Sequence, residues 1–379
     1  MKQLLVVAFD LELDKIISVI NLKDVHIKHI VTLPSDHSKY KKLNCKISTY
    51  DELPEILDLN YFDYIIISDT DKTPGRKSRI YKELLRLNVP EDKIIDITFW
   101  KAPEIYPLYN MVKFCEVNPS WGDFFITGVS HAYAGIDVSC FDSKGINIAH
   151  TSQDLYYDYL LAKKIIDIQD NIKVAFISIA PFSLHYDLSK GSCANRIHIY
   201  NPLLNDCHNH LINNDIYKMI FNHNYFDVYK DFFGDLIYNQ RLYSASVNRV
   251  ITVDEYMSIR ASLGTWDNKS FTNTVEENVH ILNMYVDMCQ KSNITPILLM
   301  FPVSPWYNKY FSKIKMDEVR TITRDIAYRN KIKLLDYYKS DKFTYNDFYD
   351  FQHLNVNGAK KISSMLNVKI NEYIGVRKL

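Results

Sequence analysis

The sequence predicts an α/β protein built from two parallel-sheet domains. Three observations predict this. Strand-like apolar runs alternate with amphipathic helical stretches, the alternation falls into two separate series, and 379 residues exceed ordinary single-domain length. Hydrophobic residues make up 47% and charged residues 24%, a balance that allows a sizeable core in each domain.

The first series opens with "QLLVVAF" (3–9), a buried strand, and "ELDKIISVINL", an amphipathic helix. "VHIKHIV" alternates as a strand, "FDYIIIS" is a further apolar strand, and "IYKELLRLN" sets Ile80, Leu84 and Leu87 on one helical face. "KIIDITF" closes the series. Residues 1–104 therefore read as a small Rossmann-like parallel-sheet domain with a recognition or scaffold role. The turn after its first strand, Phe9-Asp10-Leu11-Glu12, has no glycine and two acids. A pyrophosphate would meet side chains and negative charge there, so a standard dinucleotide site is excluded and no cofactor is expected. Pro103, Pro107 and Pro119 mark a connection, with the linker at 105–120.

The second series spans 121–379. Its strands are "FFIT", "GINIAH", "KVAFISIA", "PILLMF" and "IKLLDY". Its helices begin with "QDLYYDYLLAKKIIDI" and continue with a 275–290 helix opened by a Thr274-x-x-Glu277 capping box. "DEVRTITRDIAYRN" follows with Val319, Ile322 and Ile326 inward, and a last helix from about Val356 has Ala359, Ile362, Leu366 and Ile370 on one face. Between 188 and 270 the alternation stops and Tyr, Asn, His and Asp become frequent, as in an irregular helical insert. Such an insert either roofs the carboxyl ends of the strands or serves as surface decoration or a subunit contact.

Lys+Arg and Asp+Glu both number 45, which argues against nucleic acid or an anionic membrane surface as the main partner and leaves room only for a local basic patch. No apolar run is long enough to span a membrane, and the amino-terminal run is broken by Asp10, Glu12, Asp14 and Lys15, unlike a signal peptide. Six cysteines lie scattered without a CxxC pair, as expected of reduced thiols in a cytoplasmic protein. "CHNH" (Cys207, His208, His210) with His223 lacks the spacing of a zinc site, and no metal is expected.

Two segments carry chemistry. "FFITGVSHAYAGID" (124–137) places Gly128, Ser130 and His131 at the end of a strand, in a chain with glycine at only 10 positions. "DFYDFQHLNVNGAKKIS" (347–363) places Asp350 three residues before His353, with Asn355 positioned to cap the final helix. A carboxylate that accepts the imidazole Nδ1–H leaves Nε2 outward as a base, and a serine hydroxyl needs such a base because its proton must leave as the new bond forms. His131 either shapes the entrance, binds substrate, or packs. "FPVSPWY" (301–307) sets Trp306 and Tyr307 at a carboxyl strand end, where they form either an aromatic substrate shelf or a proline-bounded loop, the position favouring the shelf. Ser183, His185 and Asp187 read as a strand continuation and not as a second triad.

"GVSHAYAGID" together with "DFQHLNVNGAKK" resembles the SGNH (GDSL-like) hydrolase superfamily, over residues 121–375. The serine followed by histidine, with "FPVSPWY" and "DYYKSDKF" leading into "DFQHLN", is similar to the branch associated with acyl transfer onto cell-surface polymers, which includes proteins of teichoic-acid D-alanylation. The resemblance implies a flavodoxin-like three-layer α/β/α domain with Ser130 as nucleophile, His353 as base and acid, and Asp350, in preference to Asp347, as its orienter. Three departures stand out: Val129 replaces the family's aspartate before the serine, "NIAHTSQDL" lacks the block-two glycine, and "SIAPFSLHYDLS" lacks the block-three asparagine. Thr151, Ser152 and Ser183 are the substitutes the sequence offers for the oxyanion hole. The expected function is a serine esterase or O-acyltransferase moving an acyl group, acetyl first, on a carbohydrate or glycan precursor, with acetyl-coenzyme A a candidate donor. The alternative is a non-catalytic glycan- or protein-binding module on the same fold.

Overall fold

Residues Leu4 to Ala8 are buried without a break, which is what a strand covered on both faces requires. The computed structural model describes residues 1–9, 11–57, 61–68, 76–96, 102–191, 193–221, 250 and 273–374. The chain divides into two compact units, Met1–Tyr106 with Ser192–Ile237, and Pro107–Gly191 with Tyr238–Leu379.

In the first unit, β1 (Lys2–Ala8), β2 (Val25–Val31), β3 (Lys46–Ser48), β4 (Tyr64–Ser68) and β5 (Ile94–Asp96) form an all-parallel sheet of order β3-β2-β1-β4-β5. Leu5, Val7, Ile65 and Ile67 alternate along their strands and share a core with Ile80 and Leu84 of the Arg76–Arg86 helix. Leu87, placed on the same face by its spacing, is half-buried just past that helix's end. Helix α1 (Leu11–Val19) carries Glu12 inward: the carboxylate is fully buried, accepts Ser68 Oγ at 2.6 Å and pairs with Lys15 Nζ at 3.4 Å. Asp10 of the same turn lies outside the described residues.

The helices Ile197–Leu204 and Asn214–Ile220 also belong to this unit. Ile20 and Phe221 form an antiparallel bridge, and Asn21 N–H donates to the Ile220 carbonyl at 2.7 Å. Part of the stretch read as an insert between strands of the second series thus joins the first sheet's unit. Its remainder, 222–249 and 251–272, lies outside the described residues, and His223 with it.

In the second unit, β6 (Phe124–Thr127), β7 (Gly145–Asn147), β8 (Val174–Ser178), β9 (Thr295–Met300) and β10 (Lys333–Asp336) are again all parallel, in the order β10-β9-β8-β6-β7. Counted from its own first strand this is 2-1-3-4-5, the doubly wound order whose switch point lies between β6 and β8. Phe124, Ile126, Val174, Phe176, Ile297 and Leu299 point to one face and are covered by Ile362, Leu366 and Ile370 of the helix Val356–Ile374. All four apolar positions assigned to that helix's inward face, Ala359 included, are buried. In the helix Lys313–Arg329, Val319 and Ile326 are buried as the periodicity requires, whereas Thr323 takes the buried place beside a half-buried Ile322.

Three local readings change. The proline-bearing connection is a helix, Ala102–Val117, with Leu108, Met111, Val112 and Cys115 buried at helical spacing. Pro103 falls in its first turn, where a missing N–H costs nothing. No capping box forms at Thr274: Asn273, at φ 61°, stands at the cap of the helix Thr274–Lys291, and Thr274 Oγ1 is buried with no hydrogen-bond partner among the described residues. Past β8 the backbone leaves the sheet in two 3-10 turns, Ser183–His185 and Leu188–Lys190, and does not continue as a strand.

Candidate active site

Strand β6 ends at Thr127, at the switch-point end of its sheet, and only Gly128 and Val129 separate it from helix Ser130–Gly135. The turn is tight because Gly128 adopts φ +144°, and a Cβ there would lie 2.5 Å from Ser178 Cβ on the neighbouring strand. Ser130 is therefore the first helical residue. Its N–H, and that of Ser152, make no hydrogen bond among the described residues.

The second segment is held from both sides. Thr344 and Asp347 form a reciprocal capping box, Lys361 pairs with Asp347 at 2.7 Å, and Asn355 Oδ1 accepts the N–H groups of Asn357 and Gly358 at 3.0 and 3.1 Å. Phe348 and Leu354 form an antiparallel bridge across the loop. Gly358 allows the Asp347 carbonyl to approach so closely that a Cβ would sit 2.2 Å from it. Asp347 is thus committed to the loop's own architecture, and Asp350 is left to face the histidine.

The loop delivers His353 to the turn after β6. His353 Nε2 lies 2.7 Å from Ser130 Oγ, and His353 Nδ1 lies 2.7 Å from Asp350 Oδ2. The other Asp350 oxygen accepts the N–H groups of Gln352 and His353 at 2.8 and 2.7 Å. The two side chains are 11% and 24% exposed, so the pair is shielded yet open to a ligand. Burial pushes the Asp350 carboxyl up, but the facing His353 charge and these hydrogen bonds outweigh it and hold it below its ordinary 3.8. Tyr349 stacks on the His353 ring, centroids 5.5 Å apart at 12°. A carboxylate, an imidazole and a hydroxyl in line can take a proton from serine as it attacks a carbonyl and return it to a leaving group.

His131 follows the serine and is 2% exposed, its ring 5.4 Å from that of His353 and 6.0 Å from that of Phe182. Burial, and secondarily the neighbouring His353, push its pKa down to about 3, so the ring is neutral at working pH. Neither ring nitrogen has a hydrogen-bond partner among the described residues. A buried unpaired polar atom costs about 1–3 kcal/mol, and native structures hold few of them.

The other sequence-named residues fall in different places. Ser152 sits in the loop after β7 at φ 58°, the left-handed conformation that favours glycine, and its carbonyl accepts Tyr186 OH at 3.1 Å. Thr151 precedes it, with Oγ1 3.5 Å from His150 Nδ1. Ser183 Oγ accepts Ala180 N–H at 2.8 Å and so closes its own turn. Tyr307 is fully buried, stacked between Phe311 and Phe351, and presents no face to a ligand. Trp306 is half-buried, its ring 4.6 Å from that of Tyr345, which is exposed. His185 pairs with Glu318 at 3.0 Å and Asp187 caps Ser189, so Ser183, His185 and Asp187 are each engaged elsewhere. Cys207 is buried and its thiol is raised to about 12 by desolvation, with Sγ accepting from Asn201 at 2.9 Å.

One group the sequence did not single out supports both loops. Asp158, on the helix Leu155–Ile168, is buried, and burial raises its carboxyl well above the ordinary range. It accepts Gln153 Nε2 at 2.5 Å, and the nearby Gly128 N–H partly offsets the upward shift. It therefore lies between the turn bearing Ser130 and the loop bearing Ser152. In sequence Asp158 is one of four charged positions in its helix, with nothing to mark it as the buried one.

A scan against protein-family models matches none, and a search of curated proteins finds no match. Among the described residues, no helix is long and apolar enough to cross a membrane.

Proposed function

We propose that this protein is a serine-dependent acyl esterase or O-acyltransferase of the SGNH type, acting through an acyl-enzyme on Ser130. The observation that carries this reading is the unbroken line from Ser130 Oγ through His353 to Asp350, with both contacts at 2.7 Å. As Ser130 attacks, its proton passes to Nε2, the Asp350 carboxylate stabilises the imidazolium, and the same proton then protonates the leaving alcohol or thiol. The N–H groups of Ser130 and Ser152, without a partner among the described residues, supply backbone donors for the oxyanion, with the left-handed Ser152 standing where a glycine would otherwise be expected. The acyl group then passes from Ser130 to water or to a sugar hydroxyl of a carbohydrate or glycan precursor, as His353 takes the acceptor's proton and returns it to Ser130 Oγ. The half-buried Trp306 beside the exposed Tyr345 supports a carbohydrate acceptor, since sugar C–H faces stack on aromatic rings.

Treatment with a fluorophosphonate followed by intact-mass measurement tests the reading. A single adduct that disappears in Ser130→Ala is expected. Absence of any adduct across several probes and pH values would leave a carbohydrate- or protein-binding module in its place.

A further inference from the structure

We propose that His131 hydrogen-bonds the carbonyl oxygen of the acyl group at Ser130, adding a neutral side-chain donor to the backbone donors of the oxyanion hole; this rests on the acyl-enzyme reading above. The observation behind it is the pair of ring nitrogens at His131, both shut from solvent and both without a partner among the described residues. A neutral imidazole always carries one N–H, and a fold that buries it beside Phe182 and the catalytic histidine leaves that donor unused until a ligand arrives. The proposed reaction brings one acceptor to this neighbourhood, the carbonyl attacked by the adjacent Ser130. The ring lies on the residue after the nucleophile and in contact with His353, whose Nε2 touches Ser130 Oγ.

The electron balance needs nothing further. The Ser130 Oγ–C bond forms as the Oγ proton moves to His353, and the carbonyl π pair moves onto oxygen. His131 keeps its own proton throughout and only donates a hydrogen bond to that oxygen, more strongly once it is charged. A base that stays neutral is suited to this role because it does not add a second positive charge beside the His353 imidazolium.

The test compares full-length wild type with His131→Phe, His131→Asn and His131→Gln, using a fluorophosphonate and p-nitrophenyl acetate as probes. Phenylalanine keeps the ring and removes both nitrogens, while Asn and Gln each return a donor near one nitrogen's position. The expected result is Ser130 labelling and ester turnover slowed by about 10²–10³-fold in His131→Phe, falling on kcat with KM little changed. Its melting temperature should be no lower than wild type, because an apolar ring replaces an unpaired polar one, and Asn or Gln should recover part of the rate. If wild type is labelled and His131→Phe reacts at the same rate, the role of His131 falls and the acyl-enzyme stands. A His131→Phe protein that is slow, melts markedly lower and is not rescued by Asn or Gln makes His131 a packing residue and overturns the proposal. A wild type that takes no label overturns both.

Discussion

Replacing Asp350 by asparagine keeps the side chain's shape and removes its charge. In the native protein Oδ2 receives the His353 Nδ1–H at 2.7 Å, while Oδ1 receives the backbone N–H groups of Gln352 and His353. Asparagine can still accept from the backbone, so the loop is expected to fold. Its amide N–H groups then face Nδ1, which forces the ring proton onto Nε2, the atom that must accept from Ser130. The charge is lost as well: a carboxylate and an imidazolium centred about 4 Å apart attract by about 4 kcal/mol at an effective dielectric of about 20. Adding about 1–2 kcal/mol for the wrong tautomer gives about 5–6 kcal/mol, or about 10⁴-fold in kcat, the size such substitutions reach in serine triads. The assay is hydrolysis of p-nitrophenyl acetate alongside the rate of Ser130 phosphonylation, with Asp347→Asn as comparison. A loss below about tenfold, or an equal loss in Asp347→Asn, would refute the assignment of Asp350 as the group that orients His353. The pH dependence of stability has a fixed sign too. The Asp350 carboxyl is held below its ordinary 3.8, so its contribution is complete above that value and disappears as pH falls through the lowered one; Asp350→Asn should show no such share of the acid limb.

Gly128→Ala should lower stability by about 2–4 kcal/mol in thermal melts and slow labelling, since φ +144° and the 2.5 Å approach to Ser178 Cβ both oppose a side chain. Like the Asp350 carboxyl, but over a higher pH window, His131 has its pKa pushed down in the fold, to about 3, so the unfolded chain takes up the proton first as pH falls from 6.5. Stability should decline over that window with a slope of up to about 1.4 kcal/mol per pH unit, and urea unfolding of His131→Phe at several pH values should lack that slope. Lys361→Ala leaves the buried Asp347 carboxylate without its cation; chemical denaturation should report a loss of about 1–3 kcal/mol, and labelling of Ser130 should slow as the loop carrying His353 loosens.

Local chemistry made much of this protein legible in its sequence. Apolar runs such as Leu4–Ala8 and the spacing of Ala359, Ile362, Leu366 and Ile370 depend only on the periods of strand and helix, and each was buried where the pattern put it. The Ser130 turn and the Asp350-x-x-His353 spacing are also local, being set by one glycine and a three-residue reach. Signals that compete at one place misled. The prolines of 102–117 masked a helical spacing that Leu108, Met111, Val112 and Cys115 carried all along, and Thr274 had the right partner spacing without becoming the cap.

Tertiary structure alone decided the rest, because those features depend on pairings across the chain. Ser130 and His353 are 223 residues apart, and only the parallel sheet's strand order brings their loops to one edge. The three-residue spacing already favours Asp350 over Asp347 in the sequence, but that Lys361 and Thr344 engage Asp347 is decided only by the fold. Tyr307 and Trp306 are neighbours in sequence, yet one became core and the other is only half-buried. The orphaned nitrogens of His131 and the carboxyl of Asp158 beneath two loops are facts about surroundings, and a residue's surroundings exist only after the chain has folded.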